Sequence, residues 1–371
     1  MSTMARRMLY LLLMVLTFTR RTAACSSSCT PTSCDCRGSR LTSVPQDLPA
    51  NITRLDLREN LITTLRPADF ARYGNLTYLH LGSNRISTIQ RRTFRNLANL
   101  TDLYLYGNQL TSLPVGAFVG LARLQRLDLY QNRLTTLPAR IFRGLGHLQH
   151  LDLYQNQLTS LSADIFEGLG NLTVLDMYRN KLTRLPRGIF TGLGNLQELW
   201  LGQNELTSLW PSTFAGLGKL RELWLGQNRL VSLPDDIFGY RPGLPELRSL
   251  HLDNNQLISL EADTFLYLGN LEWLDLHRNN ISSLEDLAFR SAPRSHLQHL
   301  DLEYNNIGTI SRTAFVTPRL QTLILSHNNI NHFPAEALLR YRPPLSELRM
   351  EDNKMETLPP RRMTYWPPLQ T

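Results

Sequence analysis

His251, Asp253, Asp275 and His277 are the residues whose types and spacing come nearest to metal chemistry. They sit in two stretches, His251-Leu-Asp253 and Asp275-Leu-His277, offset by 24 residues. Alternation along a strand places both members of each pair on one side. Run as adjacent strands, about 4.8 Å apart, the stretches would form a small square of imidazoles and carboxylates able to bind zinc. Two exposed cross-strand Asp–His contacts, worth about 0.2–1 kcal/mol each, account for the same pattern without an ion. The sequence reading therefore assigns no metal and no cofactor.

Bond-making chemistry finds no support. The chain contains no Gly-x-Ser-x-Gly elbow, no phosphate-cradling glycine loop and no His-Glu-x-x-His. All four cysteines, Cys25, Cys29, Cys34 and Cys36, fall within twelve residues. In an exported chain such a cluster reads as two disulfides in a small cap, with three pairings open. A zinc knot would need a longer loop between cysteine pairs. No catalytic residue is expected, and the chain is not read as an enzyme.

Recognition chemistry is better represented. Tyr78, Tyr104, Tyr106, Tyr130, Tyr154, Tyr178, Trp200, Trp224 and Trp273 fall on solvent-facing strand positions by alternation. Tyr and Trp bring large contact area at low entropy cost and dominate binding hot spots. Beside them runs an acidic column, Asp128, Asp152 and Asp176. Like charges on adjacent strands oppose one another and should raise some of their pKa values; a basic partner would relieve this, with Arg126 offsetting part. Gly202 and Gly226 are expected to leave room for a group to stack on Trp200 and Trp224. These residues define a ligand-binding footprint over the third to eighth repeats, suited to a ligand with cationic and planar groups such as a basic protein surface. A glycan stacked on the same rings is the nearest alternative, and an inert ladder stiffening the sheet is the non-binding account.

One repeat positions all of these groups. Leu-x-x-Leu-x-Leu-x-x-Asn-x-Leu is seen at Leu100–Leu110; its first apolar position recurs every 24 residues from Ile52 to Leu220, with looser copies beginning at Leu247, Leu271, Leu297, Leu320 and Leu345. Such a period marks a leucine-rich repeat, one short strand per unit lining a horseshoe. The expected fold is an α/β solenoid: a curved array of about 13 units with a parallel, concave β-sheet, each unit burying its apolar face against its neighbours. An asparagine in every unit, from Asn60 to Asn353, can satisfy backbone groups where the chain leaves the strand. A phenylalanine column from Phe70 to Phe315 takes eleven of the 13 phenylalanines and reads as an aromatic spine of the convex side. Pro114, Pro138, Pro186 and Pro234 favour an extended outer wall.

The ends complete the organisation. Residues 1–24 read as a secretory signal peptide: Arg6 and Arg7, an apolar run Met8–Phe18, then Thr22-Ala23-Ala24. That run falls short of the ~20 residues that span a bilayer, and no transmembrane segment is read elsewhere. Residues 25–51 form the cysteine-rich cap, 52–358 the repeat array and 359–371 a short Pro-rich basic tail. With the four arginines of the leader set aside, 35 basic residues face 31 acidic ones, which does not point to nucleic acid. Sequons at Asn51, Asn75, Asn99, Asn171 and Asn280 are candidate glycosylation sites in an exported chain.

The motifs Leu110-Thr-Ser-Leu-Pro and Gly144-Leu145, on the 24-residue period, resemble those of extracellular leucine-rich repeat proteins. The likeness is nearest to the variable lymphocyte receptors of jawless vertebrates, with Toll-like receptor and Slit repeats more distant. Leu41-Thr-Ser-Val-Pro45 after the cysteines looks like the family's N-terminal cap. The resemblance implies pairing first with third and second with fourth, Cys25–Cys34 and Cys29–Cys36. Family members usually close on a cysteine-bearing cap, which 359–371 does not supply; a longer natural C-terminus, which would permit cell-surface attachment, is one expectation, and Tyr365 and Trp366 folding back over the last repeat is the other. The resemblance implies a secreted or cell-surface protein binding a protein or glycan on its concave face, in innate or adaptive-like immunity. The alternative is a matrix protein similar to the small leucine-rich proteoglycans.

Overall fold

The computed structural model describes residues 25, 28–239, 243–289, 295–341 and 344–356. The leader at 1–24, the tail at 359–371 and the array's expected end at Leu358 lie outside the described residues. The described chain up to Gln157, with Glu167–Asn171, forms one compact unit; Leu158–Phe166 and the residues from Leu172 onward form a second.

Each solenoid turn contributes one three-residue strand to a parallel sheet. In the first unit these are β1 (Ser33–Asp35), β2 (Arg54–Asp56), β3 (Tyr78–His80), β4 (Asp102–Tyr104), β5 (Arg126–Asp128) and β6 (His150–Asp152). In the second they are β7 (Val174–Asp176), β8 (Glu198–Trp200), β9 (Glu222–Trp224), β10 (Ser249–His251), β11 (Trp273–Asp275), β12 (His299–Asp301), β13 (Thr322–Ile324) and β14 (Glu347–Arg349). Within each unit consecutive strands pair in register, the buried middle residues opposite one another, as in Cys34↔Leu55, Leu103↔Leu127 and Leu199↔Leu223. The repeat fixes this register, because a one-residue slip would turn every leucine outward. The fold is a parallel β-solenoid of about 13 turns with almost no helix; the one α-helix described along its whole length is Ala335–Tyr341.

The asparagine spine holds each turn to the next. Asn132 Nδ2 donates to the carbonyls of Leu105 and Leu129, both at 3.0 Å, while its Oδ1 accepts from the Leu110 N–H at 3.1 Å. Asn204 repeats the pattern in the second unit with Met177, Leu201 and Leu182. The side chain thus satisfies buried backbone groups that no neighbouring strand reaches. The residue before each of these asparagines has positive φ, for instance Gln131 at 52° and Gln203 at 48°. That strain persists because the following amide is held on three sides.

Phe70, Phe94, Phe118 and Phe142 stack through the outer side of the first unit, ring centroids 5.6–6.4 Å apart. Phe166 to Phe315 continue the pattern within the second, all nearly or fully buried. Turns replace helices in the outer wall: the carbonyls of Pro114, Pro138, Pro186 and Pro234 each accept from the N–H three residues on, at 3.0–3.3 Å.

The cap corrects one expectation. The disulfides are Cys25–Cys36 and Cys29–Cys34, nested rather than interleaved. The Thr30–Ser33 turn, closed by a 2.7 Å hydrogen bond, sets Cys29 opposite Cys34 in an antiparallel bridge. That leaves Cys36, buried and pointing inward like Cys34 by alternation, to meet Cys25.

Candidate functional site

Three columns of side chains stand on the outward face of the sheet. The first strand residues make column one, the third residues column two, and residues two further on column three. Tyr78 and Trp273 lie in column one; Tyr104, Trp200 and Trp224 in column two; Tyr106, Tyr130, Tyr154 and Tyr178 in column three. The aromatics are therefore not one line, and Trp273 stands beside His299 and Ser249 rather than beyond Trp224.

In the first unit Arg54 lies 3.7 Å over the Tyr78 ring, and Tyr78 meets Tyr104 at 5.2 Å. His80, buried, stacks on Tyr104 at 4.8 Å and meets Tyr106 edge-on at 5.2 Å. Tyr106 stacks flat on Tyr130 at 4.4 Å, and Tyr130 lies 6.5 Å from Tyr154. Burial, helped by neighbouring acids, pushes the Tyr104 and Tyr130 hydroxyls up to about 12. In the second unit Trp200 lies 5.8 Å from Trp224, which stacks on His251 at 3.6 Å. Trp273, 41% exposed, stacks on His299 at 3.5 Å. Sequence reasoning found the tyrosines and tryptophans by type but missed His80 and His299, although both hold strand positions of the same repeat.

The acidic column departs from its expectation. Asp128 is 2% exposed, gripped by Arg126 Nε at 3.0 and 3.1 Å. It is not open to a ligand. Its carboxyl is raised first by burial, with Arg126 opposing, and Asp176 rises to about 6 through burial despite a hydrogen bond from the Tyr178 N–H. Desolvation, not repulsion along the column, drives these shifts. Asp152 and Asp176 are half-buried and accept the N–H of Tyr154 and Tyr178 at 2.9 and 2.8 Å, so they also brace the strand exit.

Gly202 and Gly226 do not open space over the indoles. A Cβ on Gly202 would lie 2.6 Å from the Tyr178 ring, and one on Gly226 would strike the Asp253 carboxylate. The glycines admit neighbouring side chains of this protein. A different acidic pair sits by the indoles: Glu198 and Glu222 face each other in register beside Trp200 and Trp224. Burial and then Glu222 push the Glu198 carboxyl up, and among the described residues no Lys or Arg pairs with either. Repeat-based reading passed over this pair because it looked for aspartates.

The four residues of the expected zinc square do not form one group but divide between two that share Asp275. His251, Asp253 and Asp275 bring ligand atoms within 4.8 Å of one another, as do Asp275, His277 and Asp301; Asp128, His150 and Asp152 form a third such group. Of the sequons, Asn51, Asn75, Asn171 and Asn280 are exposed, whereas Asn99 is partly covered and accepts from Arg123.

The model for leucine-rich repeats matches residues 36–86, 74–134, 122–182, 171–230, 245–294 and 291–330. The chain belongs to the leucine-rich repeat family. No curated protein matches the chain. Among solved structures of leucine-rich repeat proteins, one from Leptospira interrogans is 25% identical with a TM-score of 0.65, covering 91% of this chain and 95% of that one. Drosophila Toll in its complex with Spatzle is also 25% identical, with a TM-score of 0.68 over 87% of this chain. The chain spans 47% of that Toll structure, about half its length. The complex of latrophilin 3, Unc5D and the leucine-rich repeat part of FLRT2 matches at 26% identity and a TM-score of 0.65, covering 77% of this chain and 85% of that one. The leucine-rich repeat solenoid is used for binding, and nothing here shows catalysis. Two disulfides fit an oxidising compartment. Among the described residues no helix is long and apolar enough to cross a membrane.

Proposed function

We propose that this protein is an extracellular recognition protein whose outward strand face takes a protein ligand presenting basic side chains. The observation that carries the reading is the group Glu198, Glu222, Trp200 and Trp224. Two carboxylates, unpaired with any Lys or Arg among the described residues, stand in register on the strands that carry two indoles, one of which, Trp224, donates to Glu222 at 3.3 Å. Carboxylates and indole faces together are the chemistry that holds a guanidinium or ammonium. In the first unit the flat Tyr106–Tyr130 pair and Tyr154 offer further rigid contact area. The Toll and FLRT2 structures, solved in complexes with protein partners, support the same use of the repeat.

Secretion through the leader at 1–24 and glycosylation belong to this proposal and rest on the sequence motifs, while a role in host defence rests on the resemblance to the lymphocyte receptors, itself part of the proposal. A glycan reading has one observation behind it. A groove of about 540 Å³ lined by Gln109, Gln131, Asn132 and Gln155 presents amides typical of sugar contacts. The test is to probe arrays of extracellular proteins and of glycans with the purified chain and with Trp200→Ala, Tyr130→Ala and Glu222→Gln. Protein hits weakened by these changes, about 1–2 kcal/mol at a true anchor, are expected. Hits on glycans alone, or protein hits indifferent to all three, would overturn the reading.

A further inference from the structure

We propose that His251, Asp253 and Asp275 bind one zinc ion, with His277 positioning Asp275. Three observations lead there, and none depends on the recognition proposal.

The first is the disposition of lone pairs. His251 is held by its neighbours: Nε2 lies 2.8 Å from Ser249 Oγ and the ring is stacked on Trp224. Its Nδ1 faces Asp275 Oδ2 across 3.8 Å, too far for a hydrogen bond. It is within the ~4.2 Å that two ligands can span across one ion at about 2.0–2.1 Å each. The other oxygen, Asp275 Oδ1, is occupied by His277 Nδ1 at 2.7 Å and the His277 N–H at 3.1 Å. One oxygen is thus braced and the other left toward His251, the arrangement by which an outer partner orients a metal-bound carboxylate.

The second is how Asp253 reaches the site. It is buried, 8% exposed, and its carboxylate occupies the space left by the missing side chain of Gly226. Asn254 Nδ2 donates to Oδ2 at 3.0 Å. A glycine two positions after Trp224 therefore permits a carboxylate to lie beneath the site, and all three ligand atoms come within 4.8 Å of one another.

The third is charge. Asp253, Asp275 and Asp301 crowd the patch, and among the described residues no Lys or Arg pairs with any of them. Among the described residues, the side chains that pair with Asp275 are the imidazoles of His251, at 3.8 Å, and His277, at 2.7 Å. One nitrogen and two carboxylate oxygens around an open position suit zinc, whereas calcium prefers six to eight oxygens. No free thiol competes, since both cysteine pairs are disulfides.

The experiment uses the whole protein, stripped with chelator and titrated with zinc chloride by calorimetry and by thermal melting. One zinc per chain is expected, with a melting midpoint that climbs as free zinc rises and no response to calcium. Asp275→Asn and His251→Ala should abolish binding. His277→Gln should weaken it about 10–100-fold. Gly226→Ala, which removes no ligand, should weaken it too by displacing Asp253. Asp152→Asn, in the group with its own arginine, should leave it unchanged. Circular dichroism verifies folding of each variant, and His251→Ala carries the test if Asp275→Asn misfolds. No heat and an unmoved midpoint in the unaltered protein would overturn the proposal, as would zinc binding that survives both Asp275→Asn and His251→Ala.

Discussion

Around Asp128 the protein supplies Arg126 as a cation, whereas among the described residues no Lys or Arg pairs with Asp275. In the first patch Arg126 grips the buried carboxylate with two contacts, while His150, 3.9 Å away, stays neutral because burial and then Arg126 depress it to about 4. In the second, His251 and His277 converge on Asp275, and Asp301 beside it is raised by burial to about 6. Both patches come from equivalent strand positions of one repeat. The repeat fixes where a side chain stands, and the particular neighbours decide whether a carboxylate braces the sheet or remains available to something outside it.

The largest expected effect tests the first patch. Arg126→Ala leaves Asp128 buried without a counter-ion and should cost about 2–4 kcal/mol of stability by chemical denaturation, less than for a fully buried pair because Arg126 is partly exposed. Arg126→Leu combined with Asp128→Asn should recover most of that loss. Arg278→Ala, whose exposed guanidinium lies 5.3 Å from the Tyr304 ring, should change stability by less than about 1 kcal/mol. Equal losses at Arg126 and Arg278 would break the comparison.

Next comes the imidazole of the first unit. Burial lowers His80 to about 4, with Asp56 opposing. Below its unfolded pKa near 6.5 the unfolded chain binds the proton more readily, so stability from this group is present above pH 6.5 and is lost as pH falls toward 4. His80→Phe, which keeps a ring against Tyr104, should flatten that limb by about 2–3 kcal/mol in melts across pH 4–7.

Asp176 sharpens the contrast in the opposite sense. Its folded pKa of about 6 exceeds the unfolded value. Stability from this group is present below pH ~4 and is lost as pH rises through about 6. Asp176→Asn should therefore raise stability at neutral pH by about 1–2 kcal/mol, the half-buried position reducing the full linkage value. A variant less stable at pH 7.5 than the parent would show that the carboxylate's hydrogen bond to Tyr178 dominates.

The smallest effect concerns the sequons, none of which falls within a strand. At least two should carry glycan in protein from secreting cells, read as a mass shift on glycosidase treatment. No shift would remove glycosylation from the account.

The period made most of the fold legible. Leu103-Tyr-Leu105, Asn108 and Phe118 each hold a fixed place in a 24-residue turn, and their burial follows from that place. What spacing does not encode is which neighbour a side chain meets. Gly202 and Gly226 looked like open room, yet Tyr178 and Asp253 fill them. Asp128 looked solvent-facing, yet Arg126 two residues earlier folds over it. His80, His251 and His299 complete the aromatic stacks, a role that a search by residue type gave to Tyr and Trp alone. The cysteine pairing depended on one turn between Thr30 and Ser33 rather than on the order of the cysteines.

The central claim is that recognition happens on the outward strand face. Hydroxyl-radical footprinting of the chain with and without a captured protein partner tests it most directly, because Tyr and Trp oxidise readily and are spread over the molecule. Trp210, 49% exposed on the outer turn that follows Leu209, is a built-in control. Protection of Tyr130, Tyr154, Trp200 and Trp224 with Trp210 unchanged is the predicted result. Protection of Trp210 with the strand-face aromatics unchanged would contradict it.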